Sequence, residues 1–176
     1  KKRKEKIAIS CSVRAEYVIS APDIESIYEV PLNFEKDKLS DIILSHFKIK
    51  APKKKSDLRE WSAFVKKMRS VKEHVNIAVV GKYFDTGDFV LSDAYISVIE
   101  AIKFSSYKLG RKPKLHWINS KDFENGKGLE RVKELKNFDG VIVPGGFGES
   151  GVEGKIRAIR FCREEKIPYF GLCYGM

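Results

Sequence analysis

Residues 168–176 read PYFGLCYGM, and GLCYG (171–175) sets Cys173 in the spacing G-x-C-x-G at the end of an apolar run. That run, PYFGLC (168–173), reads as a short strand. A strand that breaks sharply into a helix pushes its middle side chain outward. The residues two before and two after then pass so close that only glycine fits. Gly171 and Gly175 meet that demand. A helix starting after Cys173 would aim its N-terminal amides at the sulfur and favour the thiolate. The competing reading is a cysteine packed as a small hydrophobe.

One strand upstream, VIVPGGFGESG (141–151) carries Gly146, Gly148 and Gly151 in the spacing G-x-G-x-x-G. A dinucleotide turn of that form needs a carboxylate about 20 residues on, at the end of the next strand, to hold a ribose. That position is taken by Cys173, with no acid beside it. The glycines fit another use. An acyl-transfer nucleophile needs main-chain donors for its oxyanion, and glycine lets a peptide plane turn its N–H toward a pocket. The Pro144–Gly145–Gly146 turn would supply one donor and the N–H of Tyr174 the other. Cys162 sits inside a helical pattern beside Phe161 and reads as inert packing.

Farther out, strands alternate with helices. VNIAVVG (75–81), KLHWINS (114–120), GVIVPGG (140–146) and PYFGLC (168–173) read as strands. SDAYISVIEAIKFSSYKLG (92–110), with Ser92 as N-cap and Gly110 as C-cap, reads as a helix, as do GLERVKELKNF (128–138) and EGKIRAIRFCREEK (153–166). Such alternation implies an α/β fold with a parallel sheet and right-handed crossovers. Upstream, KIAISCSV (6–13) alternates and reads as a strand. Pro22 and Pro31 bracket an irregular or short helical connection, and Leu39, Ile42, Ile43 and Phe47 mark an amphipathic helix. KIKAPKKKSD (48–57) is charged, aperiodic and broken by Pro52, so it reads as a linker between domains at 1–47 and 58–176. Leu58, Trp61, Val65 and Met68 open the second domain with a helix.

The 176 residues are 43% hydrophobic with a net charge of +10. That composition supports a core, and no apolar run approaches the roughly 18 residues of a membrane span. The three cysteines form no metal-ligand or disulfide pattern, which fits a reducing, cytoplasmic setting. Much of the excess charge lies in KKRKEK (1–6) and in the linker, as solvated runs do. Without zinc pairs or an aromatic-basic run, a nucleic-acid-binding module is the weaker reading. Another weaker reading is a different cysteine-elbow protein of the flavodoxin-like class, a chaperone or protease. It would need an acid reaching the sulfur from an earlier strand end, where Gly81 and Gly146 stand.

PGGFG, EGKI and KIPYFGLCYGM together resemble the class I glutamine amidotransferase domain of CTP synthases. IAVVGKYFDTGDFVLSDAYISVIEAI (77–102) and KIAISCSVRAEYVISAPDIESIYEVPL (6–32) extend the resemblance over most of the chain. The resemblance implies a flavodoxin-like glutaminase half preceded by the tail of a P-loop-like synthetase domain. It further implies a cytoplasmic homotetramer that makes CTP from UTP, ATP and glutamine, with Mg²⁺ as cofactor, GTP as activator and CTP as feedback inhibitor, and with neither nucleic acid nor membrane as partner. Carried over by position, Cys173 is the nucleophile, and Gly146, Tyr174, Gly175 and Met176 hold glutamine and its oxyanion. Lys6 contacts UTP or CTP, Pro22, Asp23 and Ile24 hold the ATP adenine, and Ser150, Gly151 and Glu153 belong to the GTP lid. None of these is a metal ligand.

Two departures stand out. Ser150 occupies a position where the family usually has arginine, and a hydroxyl does not replace a phosphate-binding guanidinium. Tyr174 stands where leucine is common, which is tolerable because the backbone N–H does the work. The sequence also ends three residues past the nucleophile, and His46, His74 and His116 do not match the family's catalytic histidine. The expectation is a fragment of such an enzyme that is inactive by itself.

Overall fold

A computed structural model describes residues 2–50, 57–82, 95–124, 126, 128–146 and 148–176. Ser92, most of the linker (51–56) and Phe147 lie outside the described residues. The chain divides into two compact units, Lys1–Arg69 and Ser70–Met176.

The first unit holds α1 (Lys2–Ser10), α2 (Val30–Lys36), α3 (Leu39–His46) and α4 (Arg59–Ser70), with 3-10 turns at Ala15–Tyr17 and Ile27–Glu29. The strand expected at 6–13 is instead the end of a helix and the turn after it. A strand needs a partner for its backbone N–H and C=O groups. Among the described residues of this unit there is no other strand. A helix satisfies those groups internally, and Lys, Arg, Glu and Ala favour it. The alternation survives only as exposure, with Ala8 buried between Ile7 at 43% and Ile9 at 80%. Lys4 Nζ meets Asp37 Oδ2 at 2.8 Å, and the Ser20 N–H reaches the same oxygen at 2.9 Å. Both bonds hold the Asp37 carboxyl below its usual range.

Helix α4 packs within this first unit, whereas the sequence placed it at the head of the second domain. Trp61 Nε1 donates to Tyr28 O at 2.8 Å. The Tyr28 ring stands edge-on to Trp61 and Phe64, at 6.1 and 5.4 Å between centroids. Val65 and Met68 are buried, and Arg69 pairs with Glu29. Edge-on aromatic pairs and a satisfied indole N–H stabilise the packing of this helix on the Tyr28 turn.

The second unit is a four-stranded parallel sheet in the order β2-β1-β3-β4, built from β1 (His74–Gly81), β2 (Lys112–Asn119), β3 (Gly140–Val143) and β4 (Tyr169–Gly171). This is the flavodoxin-like winding, in which ligands gather at the C-terminal strand ends around the reversal of strand order. Three helices connect the strands: α5 (Ile96–Lys108), the short α6 (Gly128–Arg131), which runs on into a 3-10 turn, and α7 (Val152–Glu164). On one face Ala78, Val80, Val141 and Val143 pack with Val132, Leu135, Ala158 and Cys162. Val79 and Ile142 point the other way by the strand period, and Ile142 lines a groove with Ala101 and Ile102 of α5. The register Val80↔Ile118 and Ile142↔Phe170 brings the ends of β1, β3 and β4 to one edge of the sheet.

Candidate active site

Cys173 follows β4 at that edge and is exposed. Its φ is +54°, in the left-handed region that non-glycine residues avoid. Holding a side chain there costs on the order of 1–3 kcal/mol, so the surrounding structure must impose it. The glycines on either side show how. A Cβ on Gly171 would collide with the Gly175 carbonyl, and one on Gly175 with the Val143 carbonyl. The Tyr169 hydroxyl donates to Gly175 O and clamps the turn from the strand side. Burial pushes the Tyr169 phenol up to about 12, so it stays a donor across the neutral range.

Cys173–Gly175 form a single 3-10 turn directly after β4. Gly175 N–H donates to Leu172 O at 2.9 Å and Met176 N–H to Cys173 O at 3.1 Å. Of the three amides expected to serve an oxyanion, only that of Tyr174 has no acceptor among the described residues. Gly145 flanks the sulfur from β3. A Cβ there would lie 3.2 Å from Cys173 Cβ and 3.5 Å from Sγ. The proline–glycine–glycine turn and the elbow are thus two walls of one site, with Gly146 next in line.

Lys155 is the side chain sequence reasoning missed. It projects from α7, is 2% exposed, and donates to Pro144 O at 2.9 Å. Burial, then the nearby Lys82, pull its pKa below the ordinary lysine value, partly offset by Cys173. A lysine embedded in a helix pattern carries no sequence signal of burial. Cys162, by contrast, is fully buried and its thiol is pushed up to about 11, so it is inert packing as the pattern implied.

In the lid region, Gly151 caps α7 at φ +79° and is buried against Ser120 Oγ and Lys82 Cβ, while Ser150 and Glu153 are exposed. Lys82 Nζ donates to Gly148 O at 2.6 Å. In the first unit, Lys6 is exposed on α1, and Pro22, Asp23 and Ile24 lie in an irregular stretch. No group of three metal-ligating side chains occurs among the described residues. His116 is held by Asn76 Oδ1 at 3.3 Å and by the Phe138 ring on β2, three strand spacings or about 14 Å across the sheet from β4. No described carboxylate comes from the ends of β1 or β3, where the other cysteine-elbow class would place one. No described helix is long and apolar enough to cross a membrane.

A family model for class-I glutamine amidotransferase matches residues 90–176, and one for the CTP synthase N-terminus matches residues 1–49. CTP synthases of Caldanaerobacter subterraneus subsp. tengcongensis and Sulfurisphaera tokodaii are 44% and 46% identical over 173 residues. Each alignment covers 98% of this chain, which spans 30% and 31% of those relatives' length. The glutaminase domain of Trypanosoma brucei CTPS, solved with bound acivicin, superposes with a TM-score of 0.52 at 37% identity. It covers 58% of this chain and 37% of its own. With the flavodoxin-like sheet and the cysteine elbow in place, these likenesses mean that the chain belongs to the CTP synthase family.

Proposed function

We propose that Cys173 is the nucleophile of a glutamine-hydrolysing CTP synthase. Its sulfur attacks the side-chain amide carbon of glutamine, and the carbonyl electrons move onto oxygen. The Tyr174 N–H and a peptide N–H of the Pro144–Gly145–Gly146 turn receive that oxyanion. The nitrogen takes up the proton that the thiol has lost, so collapse expels it as ammonia and leaves a glutamyl thioester, which water hydrolyses to glutamate. The ammonia aminates UTP that ATP has phosphorylated. Lys6 serves UTP or the inhibitor CTP, and Pro22, Asp23 and Ile24 serve ATP. Glutamine also meets Gly146, Gly175 and Met176. Ser150, Gly151 and Glu153 form a lid for GTP, and Mg²⁺ and ATP serve the full-length enzyme. The setting is a cytoplasmic homotetramer. We assign residues 1–47 to the synthetase domain, 48–57 to the segment between and 58–176 to the amidotransferase domain, with α4 the part of that last stretch that packs in the first unit.

The observation that carries this reading is an exposed cysteine held at positive φ against a glycine turn at the sheet's C-terminal edge. A thiol is a weak nucleophile without a base to take its proton, and in the second unit His74 opens β1 and His116 lies on β2, away from the elbow. The 176 residues alone are accordingly expected to turn over no glutamine. The test uses a polypeptide containing these residues and spanning the relatives' full length, treated with an electrophilic glutamine analogue. Mass spectrometry places the adduct on Cys173; an adduct on Cys11 or Cys162 overturns the assignment.

A further inference from the structure

We infer that Lys155 is a positioning residue that aims the oxyanion donor of the glycine turn, an inference that rests on the glutaminase reading above. Its amine reaches Pro144 O at 2.9 Å inside the protein, from a side chain 2% exposed. Peptide planes are rigid, and in a trans peptide the C=O and N–H point in opposite directions. Pinning the Pro144 carbonyl on the α7 side therefore turns the Gly145 N–H the other way. That N–H has no acceptor among the described residues. Gly145 is also the residue whose Cα faces the Cys173 side chain, 3.2 Å from its Cβ measured from an ideal methyl position. Proline at 144 has no N–H of its own and a fixed φ, so the carbonyl anchor and the next amide are what remain to set the turn's direction.

Stability gives no reason for a lysine at this place. Its buried neighbours on α7 are Gly154, Ala158 and Cys162, and no described carboxylate pairs with it. An unpaired buried amine is unfavourable, and an apolar side chain of equal length would pack without that penalty. Three N–H bonds face one described acceptor. Charged or neutral, the amine keeps donors for that carbonyl, so the positioning survives any lowering of its pKa.

The test compares two electrophiles on the polypeptide of full family length, wild type and Lys155→Met. A glutamine chloroketone passes through a tetrahedral oxyanion; iodoacetamide alkylates sulfur directly and needs no such donor. Losing one oxyanion donor slows a reaction about 10²–10³-fold, and misaiming one is expected to slow chloroketone labelling of Cys173 by about 10–100-fold. Iodoacetamide alkylation should change less than about threefold, with kcat for glutamine hydrolysis falling far more than KM rises. The melting temperature should hold or rise. Parallel loss of both labelling rates, or no change in either, overturns the inference. Wild type labelled by iodoacetamide and not by the chloroketone overturns the glutaminase reading itself, and this inference with it. If Lys155→Met does not fold, Lys155→Gln retains one donor and is expected to restore part of the chloroketone rate.

Discussion

At Cys173, solvent exposure and backbone strain coincide. Its +54° φ is unfavourable for any residue with a Cβ. Replacing it with glycine removes the sulfur and relieves the strain, so Cys173→Gly should lose labelling by the glutamine chloroketone while gaining about 1 kcal/mol in denaturant unfolding. A stability loss instead would mean that the thiol packs rather than faces a substrate. The flanking glycines behave oppositely. Gly175→Ala places a methyl against the Val143 carbonyl, which β3 cannot move without breaking its pairing with β4. It should destabilise the second unit by about 3 kcal/mol, read as a shifted urea midpoint at constant slope. Sequence made both glycines legible, because only a tight strand-to-helix turn explains G-x-C-x-G. The committed amides of Gly175 and Met176 were not legible, since hydrogen-bond partners depend on whether the turn is 3-10 or α.

At the level of elements, the strands of the second unit were readable because each is short, apolar and followed by a helical period. The same rule misassigned residues 6–13. Alternation reports which residues could share a face; it does not supply the neighbour that a strand requires. Helix α4 shows a second limit. Its stripe of Leu58, Trp61, Val65 and Met68 announced a buried face, and only the Tyr28 ring revealed against what. Trp61→Ala should destabilise the first unit by about 2 kcal/mol, less than a fully buried tryptophan because the ring is half-exposed. The loss should appear in proteolytic protection of residues 2–46 and leave the second unit's melting unchanged. Leu135→Ala, at a fully buried position between β3 and α7, should destabilise the second unit by about 3 kcal/mol.

For the whole molecule, titration links the elbow to the core. Folding raises the Cys162 thiol from 9.0 to about 11 and the Tyr169 phenol from 10.0 to about 12. A raised folded pKa means that the native state holds its proton longer than the unfolded chain. The stabilisation is therefore complete below the unfolded values and lost as pH rises. Thermal stability of the second unit should fall from about pH 9 to pH 12. Tyr169→Phe should flatten that fall above pH 10 while lowering stability at neutral pH by roughly 1 kcal/mol for the lost bond to Gly175 O. Lys155 is depressed below 10.5 and works in the opposite sense beneath that value. On the acid side the first unit responds instead. Asp37 and Glu29 are lowered by Lys4 and Arg69 in turn, so their contribution fades as pH drops below the ordinary carboxylate values.

The sequence by itself determined the winding of the sheet and the elbow that carries Cys173, because periodicity and close glycine spacing are local consequences of backbone geometry. Only the tertiary structure decided that residues 2–10 coil rather than pair, that α4 belongs with Tyr28, and that Lys155 lies beneath Pro144. Those outcomes depend on which partner reaches a given surface, and partners distant along the chain leave no trace in local pattern.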